Sequence, residues 1–485
     1  MNNSTNGVSL WKTVAFVFSI LAILGIIGTL APAGPVDFLG LNIRFPQTSS
    51  LIADSALRQR INVEDQLAAV DATMNLSAAD SAALSEQAAR ADSIRRVEHV
   101  FKMSEGSLRF PGGDFSYLFP TFRAMRNADR EEVAVIHYGD SQIEGDRITY
   151  LIRDSLQALF GGSGPGVIPL WQPIPTRSVS QTLTDSVATF YAAGIMGRRA
   201  SHDRYGAIAQ MAELRGKSVT LTAKSRANRA QWQRVTAFVG NVEDTLTIAV
   251  NSDTLASAPM TGLKALNFRV APCNELQVSL AGRADVYGIS ISEGRGVNVT
   301  NVPLRGADAL FTSRTDNNLI RQMLRQMNTR LVIMEFGGNA LPMLDDSTDV
   351  DRYARRIGEQ LDRMKSLCPE ARIIFIGPAD MAIKVDGELQ THPMLPYLTA
   401  TLAKTADQHG VAFWDMYDVM GGRNSMLAWA EHQPPLAGTD YVHFTTRGAA
   451  KIAAVLWRAI KMNYDYMLLR DRQQQPDISA PTQQQ

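Results

Sequence analysis

The chain has 485 residues, of which 45% are hydrophobic and 20% are charged, and it contains 48 Lys plus Arg against 48 Asp plus Glu. This length leaves room for two or three folded domains. A formal net charge of zero lacks the basic excess of nucleic-acid-binding proteins, so we expect no nucleic-acid partner.

The N-terminal segment contains a long apolar run. Residues 14–30 read VAFVFSILAILGIIGTL without a charge, at the short end of the length that spans a bilayer. We predict a transmembrane signal-anchor over residues 9–31, which gives the chain a membrane contact. The alternative is a signal peptide that is cleaved after residues 31–33, Ala-Pro-Ala. We favour the anchor because the run is long for a signal-peptide core and proline is unfavourable within a cleavage site.

Two low-aromatic segments flank the predicted folded body. Residues 32–108 begin with a short stretch containing Pro and Gly. Residues 50–100 are rich in Ala, Ser, Asp, Gln and Arg and contain no aromatic residue. Good helix formers with a thin apolar stripe predict a helical or partly disordered stalk, with a plain linker as the alternative. The polar residues 466–485 are predicted to be a disordered tail.

The folded body is predicted to begin with an α/β unit over residues 109–168. Residues 132–138 (EVAVIHY) form an apolar, β-branched run typical of a buried strand. Gly139-Asp140-Ser141-Gln142 follows directly, and residues 143–162 then show helical spacing that ends at a Gly pair. We interpret His137, on the buried strand, as a core histidine.

The pattern changes over residues 169–285. Short alternating segments such as SVTLTAK and DTLTIAVNS are separated by turn residues, which predicts an inserted β-sandwich. Strand and helix patterns alternate again over residues 286–465. The fold class is therefore predicted to be α/β, with a parallel sheet, helices on both faces and a β-sandwich inserted into one loop.

Ser141 is a candidate nucleophile because of its place in this pattern. It follows a buried strand and opens a helix, so its side chain is expected at the carboxyl end of the sheet, where α/β proteins bind ligands. The amides at the start of that helix favour the negative charge that develops in acyl transfer. The structural alternative is an ordinary N-cap serine.

A candidate base lies near the other end of the chain. The segment Gly438-Thr439-Asp440-Tyr441-Val442-His443 precedes the last predicted helix. Asp440 is placed to orient His443, and His443 to accept the proton of Ser141, as in a Ser-His-Asp triad with a different chain order. An isolated Asp-x-x-His pair also arises by chance in many proteins.

Taken together, these residues resemble the conserved blocks of the SGNH/GDSL hydrolases. The blocks are Gly139-Asp140-Ser141, Gly337-Gly338-Asn339 after the strand LVIMEF, and Asp440-x-x-His443. The Gly block of that family matches Gly306, which precedes Asn339 by 339 − 306 = 33 residues; Gly296 is a weaker candidate. The resemblance covers roughly residues 130–165 and 286–462.

The resemblance implies an SGNH-type, flavodoxin-like sheet and specific roles for its residues. Ser141 is expected to attack an ester carbonyl, His443 to act as base and then acid, and Asp440 to orient His443. The backbone N–H groups of Ser141 and Gly306 and the side-chain amide of Asn339 are expected to form the oxyanion hole. One departure is Ala340, where the family usually has Asp. Another is Gln142, which we assign to substrate binding.

The layout as a whole resembles the two-domain peptidoglycan O-acetylesterases of bacterial envelopes, whose insert is similar to a carbohydrate-binding module. This resemblance implies an exported serine esterase that is anchored to the inner membrane, faces the periplasm and removes O-acetyl groups from peptidoglycan or another envelope polysaccharide. The insert offers aromatic side chains for glycan contact or for its own core, namely Trp171, Tyr191, Tyr205 and Trp232.

Two other functions remain open on the sequence alone. The first is an O-acyltransferase acting on an exported glycan, because the same triad serves both reactions. The second is a non-catalytic glycan-binding protein of the envelope. We expect no metal and no other cofactor, because the seven histidines show no ligand spacing with acidic partners.

Overall fold

The computed structural model describes residues 36–38, 41–43, 64, 67–68, 87–103, 106–195, 197–227 and 231–474. The predicted signal-anchor at 9–31 lies outside the described residues, and none of the helices that are described is both long and apolar enough to span a membrane. The chain divides into two units, residues 1–61 and 62–485. In the first unit, β1 (Val36–Phe38) and β2 (Leu41–Ile43) form an antiparallel pair.

The second unit is built around a parallel five-stranded sheet, as the strand–helix alternation predicts. If the five strands are numbered by their order along the chain, their order across the sheet is 2-1-3-4-5. This is the flavodoxin-like order. The strands are β3 (Val133–Gly139), β15 (Val297–Pro303), β16 (Thr329–Glu335), β17 (Arg372–Ile376) and β20 (Ala412–Trp414). A separate antiparallel pair is formed by β18 (Ala382–Val385) and β19 (Glu388–Thr391).

Helices cover both faces of this sheet because successive side chains of a strand point in opposite directions. Val135 and Ile333 pack with one group of helices, and Ile136 and Met334 pack with the other. The first group is α1 (Gln87–Met103), α2 (Phe119–Arg126), α3 (Thr149–Phe160), α7 (Met416–Met420), α8 (Ser425–Glu431) and α9 (Thr446–Gln474). The second group is α4 (Asn317–Gln326), α5 (Ser347–Leu367) and α6 (Leu395–Gln408).

The insert consists of two antiparallel sheets whose inner side chains share one buried cluster, as in a sandwich. One sheet has the order β11-β10-β13-β8-β5 and the other β12-β9-β14-β7-β6, with β4 also paired to β14. The strands are β4 (Gly166–Ile168), β5 (Val179–Leu183), β6 (Ala188–Tyr191), β7 (Gln210–Glu213), β8 (Ser218–Ser225), β9 (Trp232–Val242), β10 (Leu246–Val250), β11 (Asp253–Ser257), β12 (Met260–Cys273), β13 (Glu275–Ala281) and β14 (Asp285–Ser292).

The insert is wider than the predicted 169–285. Strands β4 and β14 lie at the two ends of that range, and the predicted boundaries assign them to the α/β body. In the structure, β14 pairs with β9 from Asp285 to Ser292 and with β4 from Ile289 to Ile291. Its hydrogen-bonding edges are therefore used inside the insert, so the sandwich spans 166–292.

The α/β body is also larger than predicted at both ends. Helix α1 lies within the predicted stalk, yet Ile94, Val97 and Phe101 are buried in the same core as α9. Helix α9 continues to Gln474, past the predicted domain end at residue 465, with Met467 and Leu469 buried. Residues 94, 97 and 101 follow helical spacing, so the thin apolar stripe is sufficient once α9 provides a surface to pack against. Residues 475–485 lie outside the described residues.

Candidate active site

The nucleophile candidate stands at the carboxyl end of the sheet. Strand β3 is buried along its whole length and ends at Gly139. A 3₁₀ turn over Ser141–Asp146 follows it, before α3. The Asp140 carboxylate caps this turn by accepting a hydrogen bond of 2.9 Å from the backbone N–H of Gln142. Ser141 is therefore held, half-buried, at the carboxyl end of the sheet. The predicted Gly block and Asn block follow β15 and β16 at the same end.

Three of the predicted site residues form a continuous chain of hydrogen bonds. The Oγ of Ser141 lies 2.7 Å from Nε2 of His443. The Nδ1 of His443 lies 2.8 Å from Oδ2 of Asp440. With the Nδ1 proton donated to Asp440, Nε2 of His443 is free to accept the proton of Ser141. This arrangement is that of a serine nucleophile, a base and an orienting carboxylate.

The Asp440 carboxylate is kept ionised by its local hydrogen bonds. Partial burial alone raises its pKa, but the His443 side chain and the backbone N–H groups of His443 and Val442 have the larger combined effect. The pKa of Asp440 is therefore below its ordinary value. Both backbone bonds reach Oδ1 at 3.1 Å. The carboxylate is thus ionised at neutral pH, as the stabilisation of a protonated His443 requires.

Gln142 and Arg147, which both follow the nucleophile in the chain, connect it to the loop that carries His443. The side-chain amide of Gln142 donates to the Val442 carbonyl at 2.6 Å and accepts from the Phe444 N–H at 3.3 Å. The guanidinium of Arg147 donates to the carbonyls of Ser141 at 2.9 Å and of Phe444 at 3.2 Å. Gln142 also lines the cavity beside Ser141, but its amide is engaged with the histidine loop. No local sequence pattern indicates a role for Arg147, because its partner Phe444 is 297 residues away.

The Asn339 side chain lies beside the nucleophile turn. It lines the same cavity as Ser141, and its Nδ2 lies 3.0 Å from Oδ2 of Asp140 and 3.2 Å from the Ala307 carbonyl. Both amide hydrogens therefore have acceptors within the protein. The predicted role as an oxyanion donor requires one of these two bonds to be exchanged for a bond to the substrate.

The Gly306 backbone N–H is differently placed. It has no hydrogen-bond acceptor among the described residues. Gly306 is in the left-handed region (φ +73°), a conformation that favours glycine. Its neighbours hold it in place, because Leu304 N–H donates to the Gly139 carbonyl at 2.7 Å, directly before the nucleophile turn. The Gly306 N–H is therefore unpaired among the described residues, as its predicted role of oxyanion donor requires.

A buried acidic residue, Asp140, directly precedes the nucleophile in the chain. The pKa of Asp140 is raised to about 7. Burial is the largest cause and the nearby carboxylate of Glu335 adds to it, while the hydrogen bonds from Gln142 and Asn339 and the charge of Arg147 act in the opposite direction. Glu335 ends β16 and lines the same cavity. Its Oε2 lies 3.3 Å from Nε2 of His137, which is fully buried as expected for a core histidine. Asp140 therefore changes charge near neutral pH, one residue before the nucleophile.

The insert contacts the Gly block directly, which the sequence did not indicate. The N–H of Ile195 donates to the Arg305 carbonyl at 2.8 Å. Gly194 (φ +79°) approaches the same carbonyl so closely that an added Cβ would lie 2.2 Å from its oxygen. The Ile195 side chain in turn lies against the Cα of Gly306. Arg305 is anchored to Glu144 of the nucleophile turn at 2.7 Å. The insert thus borders the predicted oxyanion donors.

The cavity beside Ser141 is narrow. Its volume is about 30 Å³, and its walls include Asn339, Pro378, Met381 and Met416. A single water needs roughly 10–15 Å³ by this measure, so the space holds only a group of a few atoms. Most of the wall is contributed by loops that follow strands β3, β16, β17 and β20.

One group of side chains in the described part of the chain has metal-ligand character. The ligand atoms of His202, Glu213 and Asp285 lie within 4.8 Å of one another in the insert. Arg204 already pairs with Asp285 at 2.8 Å, and Arg215 pairs with Glu213 at 2.5 Å. Because both carboxylates are neutralised by arginine, the group does not present the charge that a divalent cation needs.

Part of the chain is similar to a known protein family. Residues 273–451 match the GDSL-like Lipase/Acylhydrolase family. This range contains Gly306, Asn339, Asp440 and His443; Ser141 lies outside it, on the other side of the insert. A search of the curated proteins found no match.

Among solved structures, a peptidoglycan O-acetylesterase is similar in fold, with a TM-score of 0.60 and 21% identity over 72% of this chain and 95% of that chain. Two other solved structures are much less similar in fold. A family two carbohydrate esterase from Cellvibrio japonicus has a TM-score of 0.25, with 12% identity over 60% of this chain and 99% of that chain. The salicylyl-acyltransferase SsfX3 has a TM-score of 0.27, with 9% identity over 59% of this chain and 98% of that chain.

These findings confirm the predicted resemblance to the SGNH/GDSL hydrolases and the prediction of a serine esterase. They also confirm the α/β fold with a parallel sheet.

Proposed function

We propose that this serine esterase is an exported, membrane-anchored enzyme that removes O-acetyl groups from peptidoglycan or another polysaccharide of the bacterial cell envelope. The observation that carries the proposal is the hydrogen-bonded chain from Ser141 through His443 to Asp440. The similarity in fold to a peptidoglycan O-acetylesterase supports the choice of substrate class.

The proposed reaction follows the acyl-enzyme route. Ser141 Oγ attacks the acetyl carbonyl while its proton passes to Nε2 of His443, and Asp440 stabilises the resulting imidazolium. The Gly306 N–H, with the Ser141 N–H and the Asn339 amide, stabilises the oxyanion. His443 then protonates the departing sugar hydroxyl, which leaves acetyl on Ser141. Water attacks this ester while His443 takes the water's proton. The bond to Ser141 Oγ then breaks, His443 returns the proton to that oxygen, and acetate is released.

The size of the site favours acetyl over longer acyl groups. The cavity of about 30 Å³ beside Ser141, with walls that include Pro378, Met381 and Met416, suits a methyl and a carbonyl better than a long alkyl chain. A polysaccharide leaving group remains outside this cavity, on the open side of the sheet edge.

The proposed location rests on the sequence of the N-terminal segment. The uncharged run at 14–30 is long enough to act as a signal-anchor, so the chain after it is proposed to face the periplasm from the inner membrane. An O-acetylated envelope polysaccharide is reachable from that side.

The test compares wild-type protein with Ser141→Ala and with a matched control, Ser252→Ala, at an exposed position of the insert. Acetate release from O-acetylated peptidoglycan and from other acetylated polysaccharides is measured, together with p-nitrophenyl acetate hydrolysis. We expect activity in wild type and Ser252→Ala and none above background in Ser141→Ala. Equal hydrolysis by all three proteins would remove the enzymatic proposal. Acetyl transfer to an added glycan without acetate release would instead identify a transferase.

A further inference from the structure

A second and much larger cavity lies between helix α3 and the insert. Its volume is about 640 Å³, within the range of roughly 300–1,000 Å³ that is usual for small-molecule sites. Tyr150, Asp154 and Gln157 of α3 form one wall. The opposite wall is formed by Arg177, just before β5, and Arg226, just after β8. The cavity is therefore a pocket that exists only because the insert lies against the α/β body.

This cavity is joined to the nucleophile turn by backbone contacts. The N–H of Arg177 donates to the carbonyl of Gly145 at 3.1 Å, within the turn that begins at Ser141. An added Cβ on Gly145 would lie 3.3 Å from the Pro175 carbonyl, so the segment before Arg177 packs tightly on that turn. Tyr150 follows a few residues later at the start of α3. The nucleophile turn and one wall of the second cavity are therefore joined through Arg177.

The walls of this cavity contain more positively charged than negatively charged side chains. The Arg177 guanidinium stacks on the Tyr150 ring, 4.5 Å from its centroid. Neither Arg177 nor Arg226 has a carboxylate partner among the described residues, whereas Arg153 in the same wall is paired with Asp146. Asp154 is the single unpaired carboxyl group in the walls, and burial raises its pKa. The cavity therefore offers two guanidinium groups to one carboxylate, an excess that suits an anionic ligand.

Two neutral polar side chains also line the walls. Trp232 borders the cavity too, but it is fully buried in the core of the insert, so its indole N–H is not exposed to a ligand there. Gln157 and Ser178 in the same walls add polar atoms of the kind that bind sugar hydroxyls. By contrast, Tyr205 is buried in the core, which removes it as a glycan contact.

We propose that this cavity is a subsite for a carboxylate-bearing sugar of the polysaccharide substrate, with Arg177 and Arg226 pairing with the carboxylate. The inference rests on the proposed function for its choice of a polysaccharide. It extends that function by assigning specificity to the junction between the insert and the α/β body. A polysaccharide without carboxylates would lack this contact.

The test measures binding in the full-length Ser141→Ala protein, where hydrolysis does not interfere. The probe is the disaccharide of N-acetylglucosamine and N-acetylmuramic acid, which carries a lactyl carboxylate. N,N′-diacetylchitobiose is the neutral counterpart. We compare Arg177→Gln, Arg226→Gln and their combination with Arg269→Gln, which removes the same charge from an exposed position outside the cavity walls. Titration calorimetry gives the dissociation constants.

We expect the acidic disaccharide to bind more tightly than the neutral one. The combined Arg177→Gln and Arg226→Gln variant should weaken its binding by roughly 10-fold or more, as for the loss of charged hydrogen bonds. Arg177→Lys and Arg226→Lys should retain part of the affinity, and Arg269→Gln all of it. Equal binding of the two disaccharides, or equal binding by the arginine variants, would overturn the inference. Neither result would affect the comparison of Ser141→Ala with wild type, which tests the proposed function.

Discussion

Gln142 holds the peptide on both sides of His443. Its side-chain amide donates to the carbonyl of the residue before the histidine at 2.6 Å and accepts from the N–H of the residue after it at 3.3 Å. Because Gln142 is also the residue next to Ser141, its side chain, together with that of Arg147, links the nucleophile turn to the loop that carries the base. It acts as a positioning residue in addition to lining the cavity.

Replacing Gln142 by Met should remove both bonds while keeping the volume similar. We expect kcat for p-nitrophenyl acetate to fall by roughly 10- to 100-fold with little change in KM, because small misplacement of a catalytic group is costly. Gln181→Met is the matched control. Its amide also donates to a backbone carbonyl, that of Pro169 at 2.9 Å, but it lies in the insert. An unchanged kcat in Gln142→Met would show that the histidine loop is positioned without it.

Replacing Asp440 by Asn should leave the loop in place but remove the charge that supports a protonated His443. In serine proteases the equivalent change lowers kcat by about 10⁴, so we expect a loss of several orders of magnitude here. Asp253→Asn, at an exposed position of the insert, should have full activity. A loss of less than about 10-fold would mean that Asp440 does not act as the orienting carboxylate.

The same variant gives a prediction for stability against pH. The pKa of Asp440 is lowered in the folded protein, so its contribution is present above the ordinary carboxyl pKa of about 4 and is lost as the pH falls through the lower folded value. The difference in unfolding free energy between wild type and Asp440→Asn should be constant above pH ~5 and shrink in acid. Urea unfolding at a series of pH values measures it. A difference that grows in acid would contradict the assignment.

Asp140 should show the opposite dependence. Its pKa is raised to about 7 in the folded protein, so its protonated form stabilises the fold and this contribution is lost as the pH rises from about 4 to about 7. Asp140→Asn removes the titratable group. It also alters the hydrogen bond to Asn339, which changes the unfolding free energy by an amount that does not depend on pH. The variant should therefore gain stability relative to wild type across that window, by up to ~1.4 kcal/mol per pH unit, and not above it. Parallel stability profiles would contradict the raised pKa.

The contact between the insert and the Gly block can be tested with a matched pair of glycines. Gly194 (φ +79°) and Gly262 (φ +80°) share a positive φ, which costs an Ala about 1–2 kcal/mol. An added Cβ meets the Arg305 carbonyl at Gly194 and nothing within 4 Å at Gly262. Gly194→Ala should therefore be less stable than Gly262→Ala and should lose esterase activity, because the segment beside Gly306 must move. Equal activity in the two variants would show that this contact does not affect the site.

The sequence by itself determined the local features of the site. A buried strand that runs into Gly139-Asp140-Ser141 places the serine at a strand end, and an Asp-x-x-His spacing brings Asp440 and His443 together within one loop. The alternation of strand and helix patterns was sufficient to predict a parallel sheet. These signals are local, because periodicity and turn chemistry act over a few residues.

Only the tertiary structure decided which distant groups meet. Three such contacts are Arg147 with Phe444, Ile195 with Gly306, and Asn339 with Asp140. No local sequence pattern indicates any of them. The pairing of β14 with β9 likewise sets the wider limits of the insert. The packing of α1 against α9 extends the α/β body at its N-terminal and C-terminal ends. Such contacts depend on how buried surfaces fit once the sheet has formed, which no short stretch of sequence specifies.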